Sequence, residues 1–146
     1  MLRSRISTDI TELNGLHTRY AWIPNEHTIR PTSENLEAKY ALMTHIQSAW
    51  PSLEEYIRRT ILASNNEWVF HKSMFPYNIE QGNHYVLWNS KYRYEAEFQE
   101  NDINAILHTN LKELVGSDEF DFAWYKNPKP SVPQFYHIQV FWISVG

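Results

Sequence analysis

The stretch QFYHIQVFWIS, residues 134–144, decides the fold. Strand side chains alternate between two faces, so Phe135, His137, Gln139, Phe141 and Ile143 share one and Tyr136, Ile138, Val140 and Trp142 the other. Both sets are mostly apolar, which predicts a central strand of a covered sheet. One imidazole and one amide stand side by side on the first face. Buried without partners, each costs about 1–3 kcal/mol. Either they bond each other or the backbone, or they form a polar patch that meets a ligand.

Reading outward from this strand, NPKPSVP (127–133) is a rigid, proline-studded loop that supplies Asn127, Lys129 and Ser131. An amide, a cation and a hydroxyl beside an imidazole suit a phosphate or carboxylate. FDFAWY (120–125) alternates as a strand. Residues 102–115 predict a helix with Ile103, Ile106, Leu107, Leu111 and Leu114 on one stripe, Asp102 near its start and Gly116 just after its end. SKYRYEAEFQEN (90–101) is polar and has no clear period. HYVLWN (84–89) predicts a strand with His84, Val86 and Trp88 on one face, EWVFHKSM (67–74) another, and FPYNIEQGN (75–83) the turn-rich link between them.

Upstream the period changes. Leu53, Tyr56, Ile57, Thr60 and Ile61 mark the inner face of a short helix, and Ser52 and Glu55 have capping-box spacing. Before it, Leu36, Tyr40, Met43, Ile46 or Gln47, and Trp50 trace a helix over 33–50, with Ser33 as its cap and Pro51 as its stop. Residues 1–32 read as an N-terminal arm, packed down only at YAWIP (20–24), and residues 33–146 as one domain. Two helices, two strands, a helix and two strands imply an α+β domain with an antiparallel sheet.

The composition narrows the function. The 146 residues include no cysteine, which excludes disulfides, thiolate nucleophiles and cysteine metal sites and fits a cytoplasmic protein. The first residues lack the apolar core of a secretory signal, and no stretch has the apolar length of a membrane span. A net charge of −4 argues against nucleic acid and anionic membranes as partners. Six Trp, nine Tyr and seven Phe serve a core of large rings, or a groove for flat ligands. Seven His form none of the H-x-H, H-x₃-H or H-E-x-x-H spacings, so no metal is expected unless His71, His84 and His137 converge across strands. No Gly-rich phosphate loop and no G-x-S-x-G elbow is present, and no cofactor is expected.

FPYNIEQGNHYVLWN (75–89) followed by NPKPSVPQFYHIQVFW (127–142) resembles the N-acetylglucosamine-induced-protein-like family, a group of small, largely fungal domains. The resemblance covers residues 67–142 and leaves out the helices before them. A more distant similarity, from Gly82 to Phe141, is to the histidine triad and galactose-1-phosphate uridylyltransferase superfamily. It implies a histidine-triad-like half-barrel that binds a nucleotide or sugar phosphate, with a nucleophilic His on the last strand followed two places later by a phosphoryl-orienting Gln. His137 and Gln139 match that pair, while Phe135 stands where the first triad His would be. In the other register His137 is the first triad position and Gln139 stands at the nucleophile, so the chain binds without forming a phosphoramidate.

The expected catalytic residues are therefore His137 and Gln139. The expected ligand contacts are Asn127, Ser131, His84, Trp88 and Lys91; His84 reads equally as a strand-edge His in a turn network, and for Lys91 a solvated surface charge is the commoner reading. The alternative is a non-catalytic interaction domain, open to self-association, whose surface carries Trp50, Tyr77, Trp88 and Trp124.

Overall fold

The computed structural model describes residues 33–74, 82–126, 130 and 132–145. The expected arm (1–32), the centre of the 75–83 link with Tyr77, and the loop residues Asn127, Lys129 and Ser131 lie outside the described residues, as does the side chain of Ser33. The elements are α1 (Ser33–Ala49), α2 (Leu53–Thr60), β1 (Trp68–Lys72), β2 (Asn83–Asn89), α3 (Glu100–Val115), β3 (Phe120–Tyr125) and β4 (His137–Ser144). This is the α+β order expected. The four strands form one antiparallel sheet, β1-β2-β4-β3, so β4 is central.

The alternation along β4 sorts the two cores. Ile138 and Val140 point to one face with Leu87, Phe120, Phe122 and Trp124, and α3 covers them with Ile103, Leu107 and Leu111. Those three helix residues recur every four positions, which keeps them on one stripe. Leu114 continues the stripe yet is exposed, because the last turn offers Val115 to the cluster instead. Gly116 ends α3 at φ 87°, and its N–H bonds Lys112 O at 2.8 Å. This left-handed cap suits glycine, which has no Cβ to strain.

On the other face, Val86, Trp88, Val132 and Phe135 meet Ile57, Ile61 and Leu62 of the α2 region. Ser52 Oγ accepts the N–H of Glu55 at 3.1 Å and starts that helix. Only this half of the capping box forms: the Glu55 carboxylate pairs with Arg59 at 3.1 Å instead. Thr60, expected on the inner face, is exposed and bonds back to Tyr56 O at 2.6 Å. α1 carries little of the core: Ile46 is buried, but Leu36 and Tyr40 are 38% and 64% exposed.

β4 begins three residues later than the alternation suggests. Pro133 has no N–H for a ladder. Residues 133–136 bond the 92–94 turn instead, through Tyr94 N–H to Pro133 O (3.1 Å) and Tyr136 N–H to Tyr92 O (2.7 Å). Asn89 makes that turn. Its fully buried side chain accepts the N–H groups of Lys91 and Tyr92 at 2.8 and 2.9 Å and donates to Glu67 at 3.3 Å. The segment 90–101, featureless in sequence, thus folds back and brings Tyr94 to the start of β4.

Candidate functional site

His137 opens β4 directly opposite Trp88 of β2. The two rings stack with centroids 4.5 Å apart and planes 28° from parallel, and Tyr94 closes a further side at 5.0 Å. The imidazole is 6% exposed. Its Nδ1 lies 2.9 Å from Phe135 O. A carbonyl only accepts, so Nδ1 carries the proton and Nε2 holds the lone pair of the neutral ring. Nε2 has no hydrogen-bond partner among the described residues. Burial lowers the His137 pKa most; the bond to Phe135 opposes this, and the nearby Lys126 ammonium lowers it further. His137 is thereby a neutral base of fixed tautomer.

Gln139 follows on the same face, opposite Val86 on β2 and Tyr125 on β3. It does not bond His137. Its Oε1 takes Nε2–H of His84 at 2.6 Å, a diagonal contact, since His84 itself faces Phe141 across the ladder. His84 is 4% exposed, and burial drives its pKa down to about 4 against the opposing bond to Gln139. It is neutral at pH 7, with the proton on Nε2. The Gln139 amide N–H groups have no partner among the described residues. The polar patch thus exists as two units: a satisfied His84–Gln139 bond, and His137 with one nitrogen committed and one not.

The structure brings His137, Gln139, His84 and Trp88 together on one face. It places Lys91 elsewhere: that side chain is 67% exposed and lies 3.6 Å from Glu67. Asn127 and Ser131 lie outside the described residues. His71 is on β1, exposed, with Nδ1 donating to Lys72 O at 2.7 Å. No group of three His, Asp or Glu among the described residues could hold a metal ion. Of the aromatics expected on a binding surface, Trp88 and Trp124 are inside, and Trp124 Nε1–H donates to Asn104 at 2.9 Å.

The roles of three residues at the site were not read in the sequence. Phe135 acts through its carbonyl, which any residue would supply. Tyr94 sits in a segment without a period. Lys126 follows β3 directly: its Nζ is 3.3 Å from Ala96 O, 4.6 Å from the Tyr94 ring centroid and 5.0 Å from that of Tyr136. A single cation closing the apolar run FDFAWY was the available signal.

Among the described residues, no helix is long and apolar enough to cross a membrane. Comparison of the chain with protein-family models, curated proteins and solved structures gave no match.

Proposed function

We propose that the His137 face binds a phosphorylated small ligand, a nucleotide or a sugar phosphate, and that Nε2 of His137 is the atom that meets phosphorus. The observation that carries this reading is the 2.9 Å bond from Nδ1–H to Phe135 O, which commits one nitrogen and leaves the other as a lone pair. A ring held in one tautomer, kept neutral by its surroundings and flanked by unpaired amide N–H groups is suited to phosphoryl chemistry. In the transfer reaction, the Nε2 lone pair forms an N–P bond and the P–O bond to the leaving group breaks. The leaving oxygen departs with the electron pair. Water then adds to phosphorus and displaces the imidazole. Gln139 N–H groups would hold the non-bridging oxygens. The distant resemblance to the histidine triad superfamily supports the same assignment, and a cytoplasmic setting belongs to this reading.

A thermal-shift screen against nucleotides, nucleotide sugars and inorganic phosphate tests it on wild type and His137→Asn. A ligand well above its dissociation constant raises the midpoint by mass action. The expected result is a rise in wild type that the variant lacks. No rise with any of these ligands, or an equal rise in both proteins, overturns the reading.

One observation favours the second reading, a non-catalytic interaction domain: Leu36 and Tyr40 of α1 are a helical turn apart and both exposed. Self-association through that face would be lost in Leu36→Glu/Tyr40→Glu by sedimentation, with the His137 site untouched.

A further inference from the structure

We propose that Lys126 is the anion-receiving cation of the His137 site, a positioning residue that draws the ligand's phosphoryl group to Nε2. The proposal rests on the reading of His137 as a phosphate-ligand site and adds the group that supplies its positive charge.

The argument starts from charge pairing. Among the described residues, Arg58, Arg59, Lys91, Arg93 and Lys112 each have a carboxylate within 4 Å, and all five are at least half exposed. Lys39, Lys72 and Lys126 have none among these residues, and of the three only Lys126 is not exposed. It is half-buried, and no carboxylate among the described residues lies at ion-pair distance. Its neighbours are two ring faces and one carbonyl. These hold an ammonium in place by cation–π attraction and one hydrogen bond without neutralising it. A partly desolvated cation without a counter-ion is costly, and an anion would offset that cost. Lost hydration lowers the Lys126 pKa, opposed by Glu97 and Glu95 acting from farther away.

The second observation is placement. The Tyr94 ring touches both groups: it lies 4.6 Å from Lys126 Nζ and 5.0 Å from the His137 ring. Ammonium and imidazole therefore share one wall, and the ammonium's field reaches His137. The same charge has two effects on the chemistry. It attracts the anion, and it disfavours protonation of the ring whose lone pair must be free.

The test uses the full chain with inorganic phosphate and pyrophosphate as probes. The His137 ring resonances are followed by NMR in wild type, Lys126→Met, Lys126→Gln and Lys126→Arg. Without any probe, the His137 titration midpoint should rise in the Met and Gln variants and stay near wild type in the Arg variant. With pyrophosphate, wild type should show saturable shifts at His137, the Met and Gln variants should bind about tenfold more weakly or worse, and Arg should restore most of the affinity. Lys126→Gln keeps a donor to Ala96 O and carries the test if the Met variant does not fold. An unchanged midpoint together with equal probe binding in the Gln variant overturns the role of Lys126 and leaves the His137 site standing. Absence of any shift at His137 in wild type overturns the site itself, and Lys126 with it.

Discussion

Gln139 Oε1 lies 2.6 Å from His84 Nε2, across the β2–β4 ladder, while His137, two residues away on the same strand face, bonds a backbone carbonyl instead. The two histidines are therefore held by different chemistry. His84 depends on a side chain and His137 on the main chain, so substitution separates them.

Replacing Gln139 by Leu removes the acceptor of Nε2–H on the buried His84. The expected loss is about 1–3 kcal/mol in urea unfolding. Gln139→Glu keeps the acceptor and adds a charge, so the His84 titration midpoint should rise well above about 4. NMR of the His84 ring reads this directly.

The pH dependence has a definite sign. His84 has a folded pKa of about 4 against 6.5 unfolded, so the unfolded chain binds the proton first as pH falls. Its contribution is complete above pH 6.5 and is lost progressively toward pH 4, by up to about 3 kcal/mol. Burial of His137 acts in the same direction. Urea midpoints should fall over this window, and His84→Phe should flatten the slope without abolishing it.

His137→Asn should keep the fold. The Asn side-chain amide can take the place of Nδ1 and donate to Phe135 O, so stability should stay within about 1 kcal/mol of wild type while Nε2 is gone. Trp88→Ala is the contrasting case. It removes the ring stacked on His137 from a 6%-exposed position and should cost about 3–5 kcal/mol. Denaturant midpoints of the two variants check the contrast.

Ser52→Ala removes the cap of α2 and should cost about 1 kcal/mol. α2 places Ile57 against the Trp88 and Phe135 side of the sheet. Amide exchange should therefore quicken along α2 before it changes in α3.

Gly116→Ala meets no atom within 4 Å, so its cost is conformational only: φ 87° in a residue with a Cβ. The expected loss is about 1–2 kcal/mol by thermal unfolding. Gly116→Asn, which tolerates this backbone region better, should recover part of it.

The fold was legible where one period dominated. Residues 134–144, apolar on both faces, pointed to a central strand, and Ile103, Leu107 and Leu111 marked the helix above it. The helical stripe of α1 was legible as a helix and misleading as burial, because periodicity states which residues share a face and not whether anything covers it. The site was legible only in part. Parity put His137 with Gln139 on one strand face and His84 with Trp88 on another; only the β2–β4 register joins the two pairs. Parity could not say that Gln139 would choose His84, since that depends on strand register. Tyr94 and Lys126 were hidden for another reason. They reach the site through the Asn89 turn and the end of β3, and such approaches leave no period.

The central place of β4 constrains how the molecule is made. β4 lies between β2 and β3, yet follows both in the chain. During synthesis, β1 and β2 can close as a hairpin as soon as residue 89 is free of the ribosome. Among the described strands, FDFAWY has no partner until residues 137–144 emerge. For that interval it is an open edge, the kind of surface that draws other nascent chains together. Placing at the centre a strand that follows both its neighbours makes their joining wait for residues 137–144. A ribosome stalled before residue 137 would therefore hold a sticky half-sheet rather than a partly working protein.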